Sequence, residues 1–150
     1  MACLYISCRQ EGCPRTFKEI CAINEEVNKT KIQRYFKKII NLINANLRQI
    51  RTDDFMARFC GKLSLSRSIL KISNCIAIKA FERCYVLGRC PISVAAAAIF
   101  LATQWSNEKR TRKEVSNVTG VVEPTIKQVY NLMIPHIEEL FPQNFKFIVS

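Results

Sequence analysis

Histidine is nearly absent from this chain, and the absence removes most acid–base chemistry at once. The single example, His136, follows Pro135 near an expected helix end, with no Ser, Cys or Asp arrangement and no phosphate-cradling glycine loop beside it. A surface or capping role is expected for it, and the chain is expected to have no catalytic residues and no enzymatic activity. Glycine and proline are also scarce, at four and five residues among 150, while apolar residues make up 49%, which excludes a disordered low-complexity chain and leaves a folded one with few sharp turns. The longest apolar run, Val94 to Ala102, falls well short of the ~20 residues that cross a bilayer, so a buried helix is expected there and no membrane partner. The opening Met1 to Cys8 is apolar but carries no basic leader and meets Arg9 and Glu11 at once, unlike secretory or transit sequence; a cytosolic or nuclear protein is expected.

Cysteine is plentiful, with eight residues, but no pair has zinc-ligand spacing followed by a matching second pair. Most lie among apolar neighbours at helical spacing, where a reduced thiol behaves as a small hydrophobe. No metal and no cofactor is expected. Acidic residues are the other shortage. Lys and Arg outnumber Asp and Glu by 23 to 12, nine against four through Ile50 and fourteen against eight beyond it. The basicity belongs to both halves, and a field of that sign attracts nucleic acid and acidic protein surfaces alike.

The chain repeats itself. A shift of 95 places lays Leu4-Tyr5-Ile6 over Ile99-Phe100-Leu101 and Arg15 to Ile20 over Arg110 to Val115, where four of the six residues are identical. One residue of slippage later, Ile32, Tyr35, Phe36, Ile39 and Ile43 reappear as Ile126, Val129, Tyr130, Met133 and Ile137, provided the second stretch bends at Pro135. The unit is an apolar helix, a short helix opened by Thr16 or Thr111, and an amphipathic helix. Glu19 and Glu114, three residues after those threonines, complete two reciprocal capping boxes. Between the copies lie two further expected helices. One runs from Thr52 with Asp53 and Asp54 in its first turn, the other from about Ser66 to Val86, ended by Gly88. Pro91 then opens the second copy, centred on an alanine-rich helix from Ile92 to Gln104. The first copy has no such preamble, so the Leu4, Tyr5 and Ile6 region is expected to leave apolar surface exposed unless another chain or the second unit covers it.

The stretches Ala2 to Ile6, Arg9 to Gly12, Pro14 to Ala22 and Pro91 to Ile99, with Asp54-Phe55-Met56, Arg58-Phe59-Cys60 and Leu140-Phe141-Pro142, resemble the core of the transcription factor IIB family. The resemblance implies an all-α fold of cyclin-like five-helix repeats, one partial and one complete, with a helix-turn-helix in the second. Residues 1–48 would be the last three helices of repeat one, 49–51 a linker, 52–142 repeat two and 143–150 a C-terminal tail. It also implies a nuclear adaptor that binds TATA-binding protein and promoter double-stranded DNA in RNA polymerase II initiation. The family's zinc ribbon and linker, which reach the polymerase, have no counterpart in these residues, so polymerase contact by that route is not expected of them.

Thr111 to Gly120, a Val121-Val122 turn and a helix from Glu123 or Pro124 read as the helix-turn-helix. Carried onto this sequence, the resemblance makes Val122, Thr125 and Lys127 the groove contacts and Lys109, Arg110 and Arg112 phosphate contacts. Three positions depart from the family pattern: Pro124 stands for valine, Lys127 for arginine and Asn131 for arginine. Lysine keeps the charge and loses the planar fork that grips guanine, so DNA affinity with degraded sequence preference is expected. In the first copy, Arg9, Lys18, Lys29 and Lys31 are expected to face an acidic loop of TATA-binding protein, Arg9 and Lys29 by direct match; a neighbouring family lysine is Thr30 here. The rival expectation is a protein-only interaction module, either a decoy that competes with the full-length factor or a cyclin-like kinase partner, without sequence-specific DNA binding.

Overall fold

A computed structural model describes residues 1–24, 26–43 and 47–142; the expected tail, 143–150, lies outside them. Among the described residues every regular element is a helix, and the chain divides into two compact units, Met1–Ile50 and Arg51–Ser150.

The first unit contains α1 (Ala2–Gln10), α2 (Phe17–Cys21) and α3 (Lys29–Ile43). Its core is aromatic. The Tyr5 ring stacks on Phe17 at 4.4 Å and meets the edge of Phe36 at 5.1 Å, around buried Ala2, Ile20 and Ile32. The apolar surface expected around Leu4, Tyr5 and Ile6 is therefore narrower than the sequence implied. Tyr5 and Ile6 are each 4% exposed, and only Leu4, at 41%, is open. A single residue step, about 100° of rotation, separates the two fates, because α1 turns Tyr5 toward α2 and α3 and Leu4 away from them. A reversal ends α1: Gly12 adopts φ +70°, its N–H donates to the Arg9 carbonyl, and the Cys13 N–H donates to the Cys8 carbonyl.

The second unit contains α4 (Asp53–Lys62), α5 (Arg67–Glu82), α6 (Pro91–Gln104), α7 (Arg112–Thr119), α8 (Glu123–Met133) and α9 (Ile137–Leu140), with a 3-10 turn at Ile134–His136 where Pro135 bends the chain. At its centre α6 is packed by α4, α5, α7 and α8. Ala95 to Ala98 and Ile99 are fully buried, since methyl side chains let four neighbouring helices approach at once. Phe55, Phe59, Ile76, Leu101, Ile126 and Met133 fill the remaining core.

Both capping boxes form. Thr16 and Thr111 accept from the Glu19 and Glu114 N–H groups at 3.1 and 3.2 Å, and the two carboxylates accept from the threonine N–H groups at 2.8 and 2.7 Å. Helix α4 starts where the sequence reading put it, directly after Thr52 with Asp53 and Asp54 in its first turn, whereas α5 ends early. Thr52 flanks α4 without a side-chain cap, and Asp54 instead accepts from the Arg51 N–H at 2.8 Å. Helix α5 stops at Glu82, four residues before Val86, because Cys84 turns left-handed at φ 60° while the Tyr85 N–H reaches back to the Ala80 carbonyl. Gly88 shapes the following turn. The repeat is also less exact than its spacing implied: Tyr35 is 57% and Ile43 55% exposed, whereas Val129, the counterpart of Tyr35, is wholly buried.

The cysteines require a further correction. All eight are free, but only Cys60 is buried; Cys3, Cys13, Cys84 and Cys90 are exposed, Cys84 in the turn after α5 and Cys90 at the N-cap of α6. Burial pushes the Cys60 thiol up to about 11, which makes it inert.

The Glu114 carboxyl is held below its ordinary value of 4.5, chiefly by the Thr111 side chain and then by the Thr111 N–H. Its folded value lies below its unfolded one, so its contribution to stability is complete above the unfolded value and is lost as pH falls through the lowered one. Thr111→Ala should reduce the unfolding free energy by about 1 kcal/mol at neutral pH in a urea titration. The gap to the parent protein should narrow as the solution is acidified past 4.5; a gap that stayed constant would exclude the carboxylate from the cap.

Candidate nucleic-acid interface

The helix-turn-helix is assembled by α7, the Gly120 turn and α8. Gly120 ends α7 at φ 75°, a left-handed conformation that suits glycine, and its N–H donates to the Ser116 carbonyl. Buried Thr119 closes the turn from inside: its hydroxyl donates to the Val115 carbonyl at 2.8 Å and accepts from the Val121 N–H at 3.2 Å. Helix α8 follows with Pro124 in its first turn, where a missing N–H costs nothing. Ile126, Val129 and Met133 seat α8 in the core, and Tyr130 meets the Phe100 ring of α6 edge-on at 5.1 Å. That anchoring leaves Pro124, Lys127, Gln128 and Asn131 as one exposed stripe at helical spacing.

Of the groove residues expected from the sequence, Val122 is 62% exposed, Lys127 is exposed and Thr125 is half-buried at the edge of the stripe. Lys109 and Arg112 are exposed at the entry of the motif. Arg110 is different. Its guanidinium turns inward and donates to the Leu63 carbonyl from Nε at 3.1 Å and from Nη2 at 2.9 Å, with a longer contact to the Ser64 carbonyl. The sequence reading missed Lys113, which is exposed beside Arg112 in the first turn of α7. The basic run around Arg112 was the available signal. Cations at a helix N-terminus oppose the macrodipole, and only Glu114 offsets them there. An anion at this spot would relieve that conflict.

In the first unit Lys18, Lys29 and Lys31 are exposed, the last two in the opening turn of α3, which contains no acidic residue. The Asn28 side chain accepts from the Lys31 N–H at 2.9 Å and supplies the cap that a carboxylate usually would. Arg9, like Arg110, is used internally: its guanidinium lies 5.8 Å from the Phe36 ring centre and donates to the Arg48 carbonyl at 2.8 Å. Of the cations expected at these surfaces, the lysines and Arg112 point outward, whereas Arg9 and Arg110 are engaged internally.

A five-helix unit wound around an alanine-rich central helix, carrying a helix-turn-helix and preceded by a partial copy of itself, defines the class of cyclin-like helical repeats. This chain belongs to the transcription factor TFIIB repeat family, whose sequence pattern it matches over residues 1–42 and 45–136. It is 52% identical over 146 residues to the transcription initiation factor IIB of Xenopus laevis, and 51% identical to those of Drosophila melanogaster and Homo sapiens. Each alignment covers 97% of this chain and 46% of the relative, so the chain spans about half the length of the curated relatives it matches.

Helix α8 has a weak start, since Val122 stands at its N-cap in an extended conformation and supplies no side-chain hydrogen bond. Val122→Ser should raise the unfolding free energy by about 1 kcal/mol. A thermal melt checks this, and an unchanged melting temperature would mean that the N–H groups of the first turn are already satisfied.

Proposed function

We propose that the chain acts as a non-enzymatic nuclear adaptor in RNA polymerase II initiation, docking on TATA-binding protein through its first unit and on promoter double-stranded DNA through its helix-turn-helix. The observation that carries this reading is the α8 stripe with the cations at the α7 entry: a recognition helix whose apolar side is fully engaged, with Arg112 and Lys113 at the N-terminus of its partner helix. Lys18, Lys29 and Lys31 supply the charge for an acidic protein surface and steer its approach.

A second reading is favoured by the stripe itself. Pro124 makes no polar contact, Lys127 lacks a bidentate fork, and Asn131 carries no charge, so the residues facing a groove are poor base readers. A module that binds its protein partner and competes with a full-length factor, without reading sequence, would need no more than this.

A gel-shift titration with TATA-binding protein on a TATA-containing duplex separates the two. The adaptor should add a further shift that weakens as salt rises, and Arg112→Glu with Lys127→Glu should weaken it at least tenfold and flatten the salt slope by about two phosphate equivalents. Lys127→Arg should restore preference for the flank, since a bidentate pair is worth about 1–3 kcal/mol of discrimination. Absence of any shift by protein with full helical circular dichroism would refute the DNA-adaptor reading.

A further inference from the structure

Glu108 and Arg110 lie two residues apart in the segment that joins α6 to α7, and each reaches a different helix end at the α4–α5 corner. The Glu108 carboxylate accepts from the Ser66 N–H at 2.8 Å. Ser66 is the N-cap of α5 and its hydroxyl receives the Ile69 N–H at 3.4 Å, half of a capping box. The other half usually comes from a carboxylate at the third helical position, but that position is Ile69. Glu108, 42 residues downstream, completes the box from a distance. Arg110 does the reverse job at the other side of the corner. It donates to the carbonyl of Leu63, the C-cap of α4, where Ser64 turns left-handed at φ 51°. An anion thus meets the positive end of α5 and a cation the negative end of α4. The same segment is tied back to α6, because the Gln104 side-chain amide donates to the Arg110 carbonyl at 2.8 Å.

We infer that Glu108 and Arg110 form a two-ended clasp that fixes the start of the helix-turn-helix on the α4–α5 corner, making Arg110 a positioning residue and not a phosphate contact. Thr111, the cap of α7, is the next residue, so displacement of Arg110 is passed directly to the helix that carries Arg112 and Lys113. The planar fork is essential, because Nε and Nη2 grip one carbonyl together and a lysine ammonium cannot reproduce that geometry. The clasp itself is a property of the second unit; its effect on duplex binding rests on the adaptor reading above.

The test uses the full chain with Arg110→Lys, Arg110→Gln and Glu108→Gln, beside Ile76→Val as a core variant that lowers stability without touching the corner. Amide exchange across α7 is measured at a temperature where every variant is fully helical, and duplex affinity with TATA-binding protein is measured at several salt concentrations. The clasp predicts at least tenfold faster exchange at the Val115 to Thr119 amides in all three clasp variants and wild-type rates in Ile76→Val. It also predicts several-fold weaker duplex binding for Arg110→Lys and for Glu108→Gln, with the salt slope unchanged, although one substitution keeps a cation and the other removes an anion. A phosphate contact predicts the opposite: Arg110→Lys binds like the parent, Glu108→Gln binds more tightly, and Arg110→Gln loses about one unit of slope. Wild-type exchange and affinity in Arg110→Lys would overturn the clasp. If the parent protein binds no duplex, the adaptor reading falls, and the exchange rates alone still decide the clasp.

Discussion

Every helix end leaves backbone N–H or C=O groups without partners inside the helix, and a chain of short helices joined by tight corners has many such ends to satisfy. That requirement organises this protein. Two threonine–glutamate boxes open α2 and α7, and left-handed reversals close α1, α4, α5 and α7. With so few glycines in the chain, Ser64 and Cys84 occupy left-handed positions that L-residues visit at a cost of roughly 1–2 kcal/mol, offset by the hydrogen bonds that the reversals make. Where local residues do not suffice, distant ones are used. Lys79 donates to the carbonyls of Glu139 and Phe141 at the end of α9, and Glu108 and Arg110 serve the α4–α5 corner.

How far these arrangements could be read from the sequence follows from the same distinction. The repeat, the two boxes, the proline-opened α6 and the glycine-ended α7 all depend on residues within one helical turn of each other, and each is visible as spacing. The end of α5 was misread because a left-handed cysteine gives no compositional warning, whereas Gly88, four positions past Cys84, does. The inward turn of Arg9 and Arg110 was equally hidden. An arginine in a basic run looks the same whether it points to solvent or to a carbonyl 47 residues away. Lys127, Thr125 and Val122 were legible as a surface because their buried neighbours Ile126 and Val129 define the opposite face of α8.

The two units put one helical plan to different use. In the second, α6 is surrounded and its small side chains vanish from the surface; in the first, the shorter α1 relies on the Tyr5, Phe17 and Phe36 rings for its contacts. His136 fits the same pattern of structural use. It stacks face to face on Tyr85 at 3.6 Å, and the Tyr85 hydroxyl donates to Glu139 at 2.7 Å, joining the end of α5 to α9.

The alanine-rich centre of α6 divides the molecule by mutational tolerance. Ala95 to Ala98 have no exposed area, so an added methylene has to be accommodated among packed neighbours. The outer stripe of α8 meets no such restriction. A lineage can therefore rewrite Pro124, Lys127 and Asn131 freely while α6 stays frozen, and copies of this fold can diverge in what they recognise long before they diverge in shape.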